Sequence, residues 1–209
     1  MARHREAVCR LCRRETMKLF LKGLRCFTEK CAIEKRNFVP GQHGQSRRAK
    51  IAGYGLQLRE KQKLKRMYGL LERQFRFYFE KASAKKGATG NALLEKLERR
   101  LDNVVYKMGF GDSRKEARQL VLHSHFFVNG KPVSVSNITL RTGDEVSVRP
   151  KSQTVTPILR AVQNAQKREI PDWIEVNHAE FKGKLKYLPE RTHVTLPIEE
   201  NLVVELYSR

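Results

Sequence analysis

The sequence predicts an α+β protein in three parts: a cysteine-bearing extension, a helical domain, and a small unit of two helices packed on a hairpin-containing sheet. Three observations predict it. All four cysteines fall in the first 31 residues. Two amphipathic helical patterns follow between residues 54 and 90. Residues 91–148 then read helix, helix, hairpin, strand.

The extension, residues 1–50, is basic and rich in turn residues. Cys9, Cys12, Cys26 and Cys31 are spaced C-x2-C-x13-C-x4-C. Two residues between cysteines let both thiolates reach one ion, and a second pair returning after a loop completes a tetrahedron. Arg10, Arg13, Arg14, Lys18, Lys22 and Arg25 surround them and favour ionised thiols. Four cysteines with no spare ligand make a closed, structural site for one Zn2+. An iron–sulfur cluster uses the same ligands and is the alternative that spacing leaves open. Disulfides would need an oxidising compartment, for which there is no signal. The segment needs such a staple, because Leu19, Phe20, Leu21 and Leu24 are its main apolar residues and are too few to offset the entropy of ordering it. His4 is expected to be solvated.

The stretch LQLREKQKLKRMYG forms a helix ending at Gly69, and Leu71, Phe75, Tyr78, Phe79 and Ala82 make one apolar stripe on the next, with Phe77 off it. KKGATGN, residues 85–91, breaks the pattern. From about Asn91 a single helix is expected to run to Met108, burying Leu94, Leu97, Leu101, Val104, Val105 and Met108 and placing Lys96, Arg100, Asn103 and Lys107 on another side. Gly109-Phe110-Gly111 stops it. Ser113 and Glu116 form a capping box for a helix whose apolar face is Ala117, Leu120 and Val121. FFV, Asn129-Gly130 and KPVSV make a hairpin with a type I′ turn, and EVSV at 145–148 is a further strand. Thr156-Pro157 opens a helix to about Arg168, strands are expected at 173–176 and 184–188, and Pro197 opens a terminal helix with Leu202, Leu206 and Tyr207 inward.

Net charge is +21 and unevenly spread. Residues 1–50 hold 14 Lys/Arg against 4 Asp/Glu and residues 51–100 hold 13 against 5, leaving little excess beyond. So concentrated a field implies a polyanionic partner for the first half. No stretch approaches the roughly 18–20 apolar residues of a membrane span, MARHREAVCR lacks the apolar core of a signal peptide, and no lipid-binding amphipathic helix stands out. A cytoplasmic protein with a nucleic-acid partner and no membrane is the expectation.

The stretch SRKEARQLVLHSHFFVNGK, residues 113–131, sets Arg114 and Lys115 at the positive end of a helix dipole, a cost of roughly 0.3–1 kcal/mol per cation. With Arg118 they form a basic face opposite the apolar one, beside free backbone N–H groups. A phosphate bound there would turn the cost into a gain. Leu122, on the basic side, has no place in this reading.

RRLDNVVYKMGFGDSRKEARQLVLHSHFFVNGKPV resembles the S-four-type RNA-binding module. CRLCRRE, PGQHGQ at 40–45, LREKQKLKRMYG and the ending NLVVELYSR extend the likeness over nearly the whole chain, to the bacterial 30S (small-subunit) ribosomal S-four family in its four-cysteine, zinc-containing form. The resemblance implies a metal-bound extension (1–50), a helical domain (51–92) rejoined by residues 193–209, and an α+β domain (93–192) in which the RNA-binding module, at about 97–160, is inserted. It implies a structural, non-enzymatic ribonucleoprotein component that binds 16S rRNA at a multi-helix junction of the 5′ domain early in ribosome assembly. It would lie beside small-subunit proteins three and five near the channel where mRNA enters, and contribute to translational accuracy; some members repress their own message. The module's RNA-facing positions correspond to Arg100, Ser113, Arg114, Lys115, Arg118, Gln119, His123 and Lys131. The extension offers Arg10, Arg13, Arg14, Lys22, Arg25, Arg36, Gln42, His43, Arg47 and Arg48, and the following helix Lys61, Lys63, Lys65 and Arg66. Gly41 and Gly44 would let the backbone at Gln42-His43 approach a phosphate, although His43 also suits a plain turn. His125 is expected to pack in the hairpin.

The module also occurs in RNA-modifying enzymes. A pseudouridine synthase needs a separate catalytic domain with an aspartate in a cleft, whereas about 60 residues follow Val148 and Asp172 stands in no motif. A metallohydrolase needs an open metal position, which four cysteines deny. DNA binding remains compatible with charge alone.

Overall fold

The computed structural model describes residues 4–46, 51–165, 168–194 and 197–208. In chain order the helices are α1 (Cys9–Glu15), α2 (Ala32–Lys35), α3 (Tyr54–Met67), α4 (Glu72–Ser83), α5 (Thr89–Glu98), α6 (Leu101–Lys107), α7 (Arg114–Leu122), α8 (Thr156–Ala165) and α9 (Glu200–Tyr207). The strands are β1 (Phe126–Val128), β2 (Lys131–Val133), β3 (Glu145–Val148), β4 (Ile174–Asn177) and β5 (Lys182–Leu185). The chain divides into two compact units, Met1–Leu93 with Leu196–Arg209, and Leu94–Thr195.

In the first unit α3 ends where Gly69 takes φ +64°, with its N–H donating to the Arg66 carbonyl and that of Leu70 to Lys65. This paired closure needs a left-handed residue after the helix, which glycine adopts without a Cβ penalty. On α4 Phe75, Tyr78, Phe79 and Ala82 are buried and Phe77 is 48% exposed, but Leu71, expected on the same stripe, precedes the helix in extended backbone and is 39% exposed. The terminal helix starts at Glu200 rather than Pro197, and Val203 is its fully buried residue, with Leu202 and Leu206 half-covered. Its Tyr207 ring stacks on Phe79 at 4.5 Å and Phe75 at 6.2 Å between centroids. Gln57 Nε2 donates to Glu205 Oε2 at 2.9 Å, tying α3 to α9.

The second unit is built on an antiparallel sheet in the order β2-β1-β3-β5-β4. Asn129 and Gly130, at φ 50° and 75°, form the two-residue turn between β1 and β2, with Val128 paired to Lys131. That hairpin ends at Val133, earlier than KPVSV suggested, and β5 runs Lys182–Leu185 rather than 184–188. Phe126, Val146, Val148, Ile174 and Leu185 face a core completed by Leu101, Val104, Val105, Met108, Ala117, Leu120, Val121, Ile158 and Trp173.

The expected single helix from Asn91 to Met108 is two. Arg100 is extended, at φ −65° and ψ 135°, and bridges Thr139. The N–H of Leu140 donates to the Arg99 carbonyl and that of Leu101 to Ile138, each at 2.9 Å. A passing segment thus takes the backbone groups that a continuous helix would use. Gly109, at φ +84°, closes α6 as Gly69 closes α3. A Cβ on Gly109 would stand 2.4 Å from that of Ala165, so close packing as well as conformation requires glycine. Ser113 Oγ accepts from the Glu116 N–H at 3.2 Å, but the Glu116 carboxylate reaches back to the Asp112 N–H at 2.8 Å, one residue earlier than a standard capping box. α8 starts at Thr156 as expected, and its expected end near Arg168 falls partly outside the described residues.

Candidate nucleic-acid interface and thiol cluster

Cys9 and Cys12 lie one turn apart on α1, Cys26 sits on a 3-10 turn (Gly23–Phe27), and Cys31 caps α2. All four are free thiols and line one small pocket with Val8, Leu21, Lys22 and Arg25. The Lys22 N–H donates to Cys26 Sγ at 3.3 Å. Burial pushes the Cys12 thiol up to about 11 against a backbone hydrogen bond from Leu19, and burial raises Cys26 as well. The surrounding cations therefore do not offset burial at Cys12 and Cys26; a bound cation would. The donor set fits a tetrahedral ion in kind and number. As placed here, no group of three or more His, Cys, Asp or Glu side chains among the described residues is arranged to hold a metal ion.

Lys22 and Arg25 of this lining are exposed, as are Arg10, Arg14 and Arg36 on the same extension. Arg13 is half-buried, with Nε donating to the Phe38 carbonyl at 2.9 Å and its guanidinium 4.7 Å from the Phe38 ring centroid. Gln42 and His43 are exposed in a turn whose Gly44 N–H donates to Gly41 O at 3.2 Å. Gly44 itself is buried, and a Cβ there would stand 1.9 Å from the Val39 carbonyl oxygen, so this glycine serves an internal close approach rather than a ligand. Arg47 and Arg48 lie outside the described residues.

The cations of α3 are engaged within their own unit. Lys61 and Lys65 pair with Glu72 at 2.7 and 2.8 Å, Lys63 pairs with Glu60, and Arg66 pairs with Glu15, which Arg59 also reaches at 3.1 Å. Burial raises Glu15 against these two guanidiniums. Glu72 shows the opposite balance: burial works to raise it, but hydrogen bonds from Lys61, Lys65 and Tyr207 outweigh that and hold it at about 2.

In the α+β unit the proposed RNA-facing residues separate into two groups. Arg100 is 0% exposed and forks onto Asp102, with Nε at 3.1 Å from Oδ1 and Nη2 at 2.8 Å from Oδ2. Arg118 is also buried, 3.6 Å from the same carboxylate. The helical pattern set Arg100 on a side apart from the apolar face; the extended backbone at that residue turns it inward, where it is buried against Asp102. Arg114 is half-buried, donating to Asn103 Oδ1 at 2.7 Å with its guanidinium 4.7 Å from the Tyr106 ring centroid. Asn103 is buried. Lys115, His123 and Lys131 are exposed, while Ser113 and Gln119 are partly so. Gln119 and His123 are hydrogen-bonded to each other. His125 is half-buried, its Nδ1 2.9 Å from Ser152 Oγ. The sequence reading passed over Lys182 and Lys184, exposed on β5 beside buried Gly183 and Leu185; the alternation KGKL was the available signal. Among the described residues no helix is long and apolar enough to cross a membrane.

Two family models match. Residues 3–98 match the ribosomal protein S4/S9 N-terminal domain and residues 99–146 match the S4 domain. The chain is 57% identical to the small ribosomal subunit protein uS4 of Syntrophus aciditrophicus, over 209 residues and 100% of both chains. The same protein of Geotalea daltonii is 56% identical, and that of Acidobacterium capsulatum 54%, again over 100% of both chains.

Proposed function

The chain belongs to the family of small ribosomal subunit protein uS4, structural ribosomal proteins and not enzymes, and from that premise we propose that it is a primary 16S rRNA-binding protein of the cytoplasmic ribosome. In this reading it nucleates assembly around a multi-helix junction of the 5′ domain. It then stays beside small-subunit proteins three and five where mRNA enters, contributing to accuracy, and it can repress its own message.

The observation that carries the RNA reading is the contrast between engaged and exposed cations. The α3 set is internally paired, whereas Arg10, Arg14, Lys22, Arg25 and Arg36 stand exposed on the cysteine-bearing extension. Lys115, His123 and Lys131 add a second exposed set on the α+β unit. Such groups read phosphate positions and junction shape, because A-form RNA closes its major groove to side chains. Their affinity comes through counterion release and falls steeply with salt. The test is binding of the full-length protein to a 5′-domain junction fragment of 16S rRNA and to duplex DNA of equal length, at near-physiological salt. At least about tenfold preference for the RNA is expected; equal affinity overturns the reading.

The thiol set supports a structural Zn2+ held by Cys9, Cys12, Cys26 and Cys31. When bound, the ion would supply the positive charge that ionises the thiols and cross-links α1, the 3-10 turn and α2. Metal analysis of purified protein tests it: one zinc per chain without visible absorption is expected, while iron with charge-transfer bands would assign the cluster to the iron–sulfur alternative.

A further inference from the structure

The 3-10 turn Gly23–Phe27 sorts its residues into three rows, because at three residues per turn positions i and i+3 eclipse. Gly23 and Cys26 form the inward row, and both are buried. Lys22, the residue capping the turn, and Arg25 form an exposed basic row. Leu24 and Phe27 form the third row, and they are 40% and 60% exposed. Phe20 stacks on Phe27 with ring centroids 5.0 Å apart and planes 29° from parallel. The backbone at Phe20 is left-handed, at φ 52°, next to fully buried Leu19. A bulky residue rarely takes this conformation, and such strain collects at binding sites. The platform is held in place by Lys22 N–H to Cys26 Sγ, Thr28 Oγ1 to the Arg25 carbonyl at 3.1 Å and Arg25 Nε to the Lys30 carbonyl at 3.3 Å. Glu29 is the exposed acid beside it, whereas Glu34 pairs with Lys18.

An exposed aromatic face beside a row of cations is the pairing that binds single-stranded nucleic acid: the ring takes a base and the cations take the flanking phosphates. Resting on the RNA-binding reading above, we infer that Phe27, backed by Phe20 and bordered by Leu24, Lys22 and Arg25, is a stacking site for an unpaired RNA base. The extension thus holds two modes of contact. Its exposed arginines take phosphates of any helix, and this platform selects a nucleotide lifted out of one. Phe27 is open to solvent and outside the core, so its replacement leaves the fold intact.

The experiment measures full-length wild type, Phe27→Ala, Phe27→Leu and Phe27→Trp against a single-stranded 12-mer of adenylate, the same strand with abasic sites, and a 12-base-pair RNA duplex. Phe27→Ala and Phe27→Leu should each weaken binding to the adenylate strand by at least about fivefold, in keeping with the loss of one stacked base. Both should leave the duplex, the abasic strand and the salt slope unchanged, and Phe27→Trp should restore wild-type affinity. Equal losses on all three probes, or no loss on the adenylate strand, overturn the inference. Wild-type protein that ignores duplex and strand alike would instead overturn the RNA-binding reading itself.

Discussion

The extension and the α+β unit use arginine in opposite ways. In the extension, Arg10, Arg14, Arg25 and Arg36 are exposed on a segment with few buried apolar side chains. In the α+β unit Arg100 and Arg118 converge on Asp102 inside a core of aliphatic and aromatic residues. One region presents charge over few buried apolar side chains; the other buries its charge and packs around it. A count of cations along the chain does not separate these two uses, because burial decides whether a guanidinium meets a ligand or a carboxylate.

That contrast breaks most visibly under chelation. If zinc organises the extension, removing it should abolish amide-exchange protection across residues 8–35 while the single tryptophan, Trp173 in the α+β core, keeps its native emission. An extension that stays protected without metal would show that packing suffices. The next largest effect lies in the buried cluster. Asp102→Ala leaves Arg100 and Arg118 without their shared carboxylate and should cost about 3–5 kcal/mol, measured by urea unfolding followed at Trp173. Below these, Lys115→Ala should flatten the dependence of log K on log salt for rRNA by about one unit with no change in stability. Arg118→Ala, in contrast, should act chiefly on stability, because that side chain is buried against Asp102.

The smallest effect is acid sensitivity of the helical unit. Glu72 is held at about 2 in the folded chain, below its ordinary value of 4.5, by Lys61, Lys65 and Tyr207. Its stabilisation is therefore complete above about pH 4.5 and is lost as pH falls towards 2. The group is half-exposed, so solvent screening keeps the effect modest. Glu72→Gln should reduce the drop in thermal midpoint between pH 5 and pH 3; an unchanged drop would place the acid response elsewhere.

Local chemistry was legible where it acts over a few residues. Gly69 and Gly109 ending helices, Ser113 starting one and Asn129-Gly130 turning a hairpin all act through backbone conformation within one turn. The apolar stripe of α4 was legible for the same reason. The break at Arg100 was not, because its cause is the segment at 138–140, some forty residues away, taking the backbone bonds of a helix that the hydrophobic period allows. Nor was the pairing of Arg66 with Glu15 or of Lys61 with Tyr207's neighbour Glu72, since these partners meet only after α3 has packed. At the candidate interface the sequence identified the basic extension and the thiol set by spacing and composition. It carried no sign that the α3 lysines were already engaged.

The docking of Tyr207 on Phe75 and Phe79 has a consequence for biosynthesis. The rings of α4 are translated long before the residue that covers them, and at roughly 5–20 residues per second the wait is on the order of ten seconds. Through that interval the nascent helical unit shows an uncovered aromatic stripe while the α+β unit, contiguous in the chain, is made and completed just before α9. A premature stop codon between the end of the α+β unit and α9 would therefore release a fragment with one finished half and one sticky half, a natural client for chaperones and proteases.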